Sequence, residues 1–148
     1  MVIPALDEGE RIEAALASAT APGVEVVVVD GGSRDDTVAR AKRGGARVLA
    51  SPPGRARQLD AGARAASGDV LLFLHADTRL PEGYREAVER ALLDPGVSGG
   101  AFRFAFDRRS PGLRLVAWGV RLRVALFRLP YGDQALFARR SALEAVGG

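Results

Sequence analysis

Two carboxylates stand where apolar runs of strand length stop. Val26-Val27-Val28-Val29 leads into Asp30-Gly31-Gly32-Ser33-Arg34-Asp35-Asp36-Thr37, and Val70-Leu71-Leu72-Phe73-Leu74 leads into His75-Ala76-Asp77-Thr78. A near-continuous apolar run is the pattern of a parallel strand covered by helices on both faces. In open parallel sheets, ligands bind beyond the carboxyl ends of the strands, where these acids fall. A carboxylate there can accept a hydrogen bond from a ring N–H, or hold a hard divalent cation through oxygen. The pattern suits a nucleotide together with Mg²⁺ or Mn²⁺ rather than zinc. Asp30 has a competing reading as the cap of its own turn, accepting from the N–H of Gly32 or Ser33. His75, the only histidine, reads as a weak metal ligand, a hydrogen-bond donor to phosphate, or a group that orients Asp77.

The elements that would position these residues alternate between strand and helix, which argues for α/β architecture. A first strand occupies 1–4, and a helix with apolar positions at Ile12, Ala15, Leu16 and Ala19 is expected over 8–20. The strand over 26–29 precedes a helix over 35–43, with Ser33 or Asp35 as N-cap and Gly44-Gly45 as its stop. A short strand at 47–50, an alanine-rich helix at 55–67, a strand at 70–74 and a helix at 82–93 follow. Beyond Gly96 the period-two alternation over 101–106 predicts a strand, and 113–129 reads as an arginine-studded helix. A strand at 135–138 and a helix from Ser141 to the end complete the pattern, which reads as one domain over 1–148.

The chain has 148 residues, 47% apolar and 26% charged, with a formal net charge of +3. That balance is ordinary for a water-soluble globular chain. The arginines are scattered, with no basic stripe interleaved with aromatics, so nucleic acid is not an expected partner. No run reaches the roughly 20 apolar residues of a membrane span, and the absence of cysteine excludes disulfides and thiolate chemistry. A cytoplasmic location is the expectation. Arg114, Arg121 and Arg128 recur at seven-residue spacing; this is the solvated edge of a packed helix, or a surface for peripheral membrane contact.

Five segments carry a family resemblance. Ile3-Pro4-Ala5-Leu6-Asp7-Glu8, the Val29–Thr37 segment and Phe73-Leu74-His75-Ala76-Asp77-Thr78 follow in the order found in family 2 glycosyltransferases, inverting enzymes of the GT-A-type fold. The segment from Gly54 to Ala63 and Tyr131-Gly132-Asp133-Gln134 resemble a soluble bacterial branch of that family. The resemblance implies a Rossmann-like, mostly parallel sheet with helices on both faces. It also implies transfer of a sugar from a nucleotide diphosphate-sugar donor to a hydroxyl acceptor, a lipid-linked one included.

By that resemblance Pro4, Ala5, Asp7 and Glu8 line the nucleotide pocket, and Asp30, Gly31 and Ser33 lie at the base. Gly31 stands where many relatives have a second acid. Arg55, Arg57, Gln58 and Asp60 line the donor site, where a helix N-terminus with arginine suits a pyrophosphate. His75-Ala76-Asp77 matches the family's acid-x-acid motif, with Asp77 on the metal, His75 in the first acid's place and Ala76 between them. Asp133 lies on the acceptor side. The family's later Glu-Asp base motif has no counterpart here, so the chain reads as truncated at both ends and Asp133 as a substitute base. The bland readings are a helix-dipole acid pair for Asp7 and Glu8, a solvated basic face for the Arg55–Asp60 segment, and a turn for Asp133.

Three alternatives stand beside transfer. A sugar-nucleotide nucleotidyltransferase needs a glycine-rich loop and a basic residue after the first strand, and Pro4-Ala5-Leu6-Asp7-Glu8 offers neither. A non-catalytic donor-binding remnant would keep the nucleotide half without a base. A dinucleotide-binding oxidoreductase needs a later glycine that Gly31-Gly32 lacks.

Overall fold

The computed structural model describes residues 1–102 and 135–147. In chain order these form β1 (Val2–Ala5), α1 (Ile12–Ala19), β2 (Val27–Asp30), α2 (Thr37–Arg43), β3 (Arg47–Ala50) and α3 (Arg55–Ala65). β4 (Val70–Phe73), α4 (Tyr84–Ala91), β5 (Gly99–Ala101), β6 (Leu136–Arg139) and α5 (Arg140–Ala145) follow. The strands join one sheet in the order β3-β2-β1-β4-β6-β5. β1 to β4 run parallel, and β6 is antiparallel to both β4 and β5.

The valine run builds the centre of this sheet. Val27, Val28 and Val29 are fully buried, and β-branched side chains pack well on a pleated surface. Alternation sends Ile3, Val28 and Leu72 to the face covered by Ile12, Leu16, Ala41, Tyr84 and Val88 of α1, α2 and α4. Val2, Val27, Val29 and Leu71 face the other way, toward Leu59 and Ala63 of α3 and Leu143 of α5. Each such burial stabilises by roughly 1.5–3 kcal/mol, so helices are required on both faces, as the apolar runs imply.

The order β2-β1-β4 makes the gap between β1 and β4 the point where the connections reverse direction. Pairing there is short: Val2 faces Phe73, and Leu74 N–H donates to Val2 O at 3.0 Å. Pro4, which has no N–H to give, lies beyond the last β1–β4 bond and weakens no ladder. The carboxyl ends of β1 and β4 are therefore free to part.

Two arginines fix β6 and α5 against neighbouring helix ends. Arg140 donates to the carbonyls of Ala63 at 3.0 Å, Ala66 at 2.6 Å and Gly68 at 3.0 Å. Arg139 donates to Leu92 O at 2.6 Å and Val97 O at 3.1 Å. These are carbonyls at and beyond helix C-termini, which lack intrahelical partners.

Several boundaries differ from the sequence expectation for definite reasons. α1 starts at Ile12 rather than at 8, because the backbone of residues 7–9 bonds to a neighbouring loop. α4 starts at Tyr84, after Gly83 in a left-handed conformation (φ 71°). β5 begins at Gly99, ahead of the alternating residues, because pairing with β6 sets it. A side chain at Gly99 would meet Phe137 O at 2.4 Å, and one at Gly100 would meet the Phe137 ring at 2.7 Å. Phe137 is buried, with the Phe102 ring edge-on at 6.0 Å. The rest of the 101–106 strand, the 113–129 helix with its arginine stripe, and the 131–134 motif with Asp133 lie outside the described residues.

Gly62 sets how closely α3 approaches the sheet. A Cβ there would lie 2.3 Å from Val2 Cγ1 and 2.9 Å from Val29 Cγ2. Overpacking a tight core typically costs about 1–3 kcal/mol. Gly62→Ala is therefore expected to lower the urea midpoint by an amount in that range with little change in the denaturant slope. A midpoint equal to the parent's, or above it through alanine's better helix propensity, would show that the contact relaxes freely.

Candidate functional site

The site is built from the residues that follow β1, β2 and β4, with the start of α3 beside them. Asp30 closes β2, opposite Ala5 of β1. Its carboxylate folds back on its own turn, accepting from Gly32 N–H at 3.0 Å, from Ser33 N–H at 3.2 Å, and from the Ser33 hydroxyl. The turn-cap geometry is thus the one present. The Ser33 N–H is shared between the two oxygens, so each oxygen of Asp30 carries two contacts within its own turn.

The β1–α1 loop is clasped to the β2–α2 loop. Asp7 N–H donates to Ser33 Oγ at 2.9 Å, Glu8 N–H to Thr37 Oγ1 at 2.8 Å, and Gly9 N–H to Asp35 Oδ2 at 2.9 Å. In return Asp7 Oδ1 accepts from Arg34 N–H at 2.7 Å, with Asp7 held in the left-handed region at φ 54°. Glu8 pairs with Arg11 at 3.2 Å. Three successive N–H groups that a phosphate-binding loop would turn toward its ligand are engaged by the protein's own side chains. This argues against the nucleotidyltransferase reading, which needs that loop open.

Asp35 is the hub of the clasp. Its Oδ1 accepts from Thr37 N–H at 3.0 Å and from the Thr37 hydroxyl. It caps the first helical residue of α2 by an aspartate turn, one residue ahead of the helix boundary. The bonds from Thr37, and then that from Gly9, hold its carboxyl below the usual carboxylate range. The sequence signal for Asp35 and Thr37 is the spacing of an aspartate two residues before a threonine at a helix start.

Across the gap, β4 delivers His75, Ala76 and Asp77. Ala76 is buried in the core beside Leu74, so only its backbone faces the site. Asp77 is exposed, and Thr78 Oγ1 donates to its Oδ1 at 3.2 Å. The Arg55 guanidinium lies against His75 Nδ1. A guanidinium only donates, so Nδ1 takes the acceptor role in this contact. A metal at Nδ1 would have to displace that contact. Among the described residues no three His, Cys, Asp or Glu side chains converge as a metal cage. Asp77 still fits a hard cation whose other ligands come from a diphosphate and water.

α3 presents its residues in different directions. Gly54 precedes it at φ 133° and makes no side-chain cap, so Arg55 stands at a helix N-terminus whose first N–H groups lack a capping side chain. Arg57 is exposed, with no ion pair among the described residues, and Asp60 is exposed and paired with Arg64 at 2.9 Å. Gln58 is only 4% exposed, and its Nε2 donates to Ala5 O at 2.9 Å and Val29 O at 2.8 Å. Arg55 therefore meets His75, while Gln58 turns to the strand ends and Arg57 and Asp60 are brought to neither. A cavity of about 840 Å³, lined largely by apolar residues of α3, β4 and α5, meets these site residues at Arg55, Asp60 and His75.

This sheet order, with acids at the carboxyl ends of β2 and β4, defines an α/β protein of the GT-A type. The chain belongs to glycosyltransferase family 2: the model of that family, described as glycosyl transferase family 2, matches residues 1–143. A Mycobacterium tuberculosis protein named as an uncharacterized glycosyltransferase is 33% identical over 162 residues, covering 99% of this chain and 70% of its own length. The crystal structure of Mycobacterium tuberculosis glucosyl-3-phosphoglycerate synthase with Mn²⁺ and UDP-glucose superposes with a TM-score of 0.70 at 29% identity. That match covers 96% of this chain and 56% of the synthase chain. The same synthase with phosphoglyceric acid gives a TM-score of 0.72 at 28% identity, again over 96% of this chain and 56% of the other. The chain thus spans a little over half the length of these solved structures.

The clasp has a testable pH signature. Because the folded Asp35 carboxyl lies below its unfolded value of about 3.9, its stabilisation is fully present above that value. It is lost as pH falls through the folded value. Asp35→Asn is expected to lower the urea midpoint at pH 7, and the gap to the parent should narrow steadily below about pH 4. Urea titrations from pH 7 to pH 3 check this; a gap independent of pH would show that the carboxylate charge does not hold the loops.

Proposed function

We propose that this chain forms the donor half of a glycosyltransferase that moves a sugar from a nucleotide diphosphate to a hydroxyl acceptor with inversion. The observation that carries the proposal is the parting of β1 and β4, with exposed Asp77 and the Arg55–His75 pair at the end of β4 and Asp30 at the end of β2. A nucleotide diphosphate suits that distribution of charge. The base lies toward Asp30 at the end of β2, with Pro4, Ala5, Asp7, Glu8 and Gly31 forming the surrounding wall. The diphosphate lies toward Arg55, His75 and the N-terminus of α3, where cationic and N–H donors favour an anion.

Asp77 would hold Mg²⁺ or Mn²⁺, whose charge would offset the negative charge developing on the leaving diphosphate. In the transfer the acceptor oxygen bonds to the anomeric carbon, the bond from that carbon to the diphosphate breaks, and its electron pair leaves with the nucleoside diphosphate. The acceptor proton passes to a general base; Asp133 is the candidate. The acceptor is a hydroxyl compound, with a small phosphorylated acid and a lipid-linked molecule as the two cases for an assay to separate. No helix among the described residues is long and apolar enough to cross a membrane, and consumption of a nucleotide sugar suits the cytoplasm. A donor-binding segment without turnover is the second reading.

Asp77→Ala separates the metal role from a general loss of fold. Calorimetry should show UDP binding in Mn²⁺ weakened roughly 10–100-fold, the scale of one charged contact, with uridine binding unchanged. Equal losses for both ligands would remove Asp77 from the diphosphate. Release of UDP from UDP-glucose by the parent separates transfer from binding alone; binding without release would leave the second reading standing.

A further inference from the structure

Gln58 occupies a place that its sequence neighbours do not suggest. One helical turn separates it from Gly62, so the two share a face of α3. The absent side chain at Gly62 lets the helix descend onto Val2 and Val29. That descent carries the Gln58 amide to the ends of β1 and β2. Both N–H bonds of Nε2 are used there, one on Ala5 O and one on Val29 O. Ala5 O also accepts from Gly31 N–H at 2.9 Å. One carbonyl thus joins the first strand, the helix and the residue that follows Asp30.

Gly31 completes the junction by having no side chain. A Cβ there would lie 3.1 Å from Gln58 Nε2 and 3.3 Å from Oε1, tighter than ordinary contact. Its backbone does not require glycine, since its φ lies outside the left-handed region. A side chain there would press on the amide beneath it, which would have to give by a few tenths of an ångström.

We infer that Gln58 is a positioning residue for the nucleoside end of the donor site, and is not a contact for the diphosphate. By strapping Ala5 and Val29 it fixes the spacing of the two strand ends, and through Gly31 it fixes the height of the Asp30 turn. This rests on the donor-site reading above, and it assigns Gln58 to a different part of the ligand from the neighbouring Arg55. Removing the strap lets the Asp30 turn shift, which weakens whatever the turn holds and leaves the phosphate end alone.

The test uses Gln58→Met, which keeps length and apolar bulk but gives no hydrogen bonds, and Gly31→Ala, which presses the amide from the other side. Uridine and UDP affinities are measured by calorimetry in Mn²⁺, with urea unfolding alongside. Each variant should weaken uridine and UDP by the same factor, roughly tenfold for two neutral hydrogen bonds. The ratio of UDP to uridine affinity should stay at the parent's value. Loss of UDP binding with uridine unchanged would make Gln58 a diphosphate contact and overturn the inference. Lower stability with both affinities unchanged would make it a purely structural strap and overturn it equally. If Gln58→Met does not fold, Gly31→Ala carries the same comparison with the native amide in place. A parent that binds neither ligand refutes the donor site itself, a result distinct from a parent that binds both and variants that do not follow the expected ratio.

Discussion

The hydrogen-bonded tie between the ends of β1 and β2 is the constraint on which the remaining site geometry depends. The two strands run in register from Val2 opposite Val27 to Ala5 opposite Asp30. Beyond that pair an ordinary ladder would fray, since the chains turn into separate loops. Here Gly31, Gln58, Ser33, Asp35 and Thr37 continue the connection past the last paired residue. Individually such bonds contribute about 0.5–1.5 kcal/mol. Acting on the same few residues of backbone, they define where the Asp30 carboxylate lies relative to β1.

The opposite wall is held by a different principle. β1 and β4 touch only near Val2, so the position of His75 and Asp77 is set from the far side. β6 pairs with all four residues of β4, and Arg139 and Arg140 tie β6 to the ends of α4 and α3. One wall of the gap is thus locked by loop-to-loop hydrogen bonds, the other by an antiparallel strand and two arginines. Arg55 reaches from α3 to His75, so this wall joins residues twenty positions apart in sequence.

Much of this was legible in the residues themselves. The valine and leucine runs gave β2 and β4 to within a residue, because continuous burial on two faces leaves few other patterns. Asp30-Gly31-Gly32-Ser33 read correctly as capable of capping its own turn, since an aspartate followed by small residues does so in most settings. The direction of Gln58 was not legible: an amide in an alanine-rich helix looks alike whether buried or solvated. The one available hint was Gly62, a glycine in mid-helix with no local need for one. The early end of the 8–20 prediction failed because the residues competing for that backbone, Ser33, Asp35 and Thr37, lie in another loop. The contact between Arg55 and His75 had no sequence signal at all.

The central claim is that these strand ends form a metal-linked site for a nucleotide diphosphate. A thermal-unfolding screen of UDP, GDP and ADP, each with Mn²⁺ and with a chelator, addresses it most directly. At a hundred times its dissociation constant a ligand stabilises the folded state by about 2.7 kcal/mol, a readily measured shift. One nucleoside diphosphate should raise the midpoint above the others, and the chelator should remove most of that rise. Equal midpoints for all three diphosphates with and without Mn²⁺ would contradict the assignment of the site.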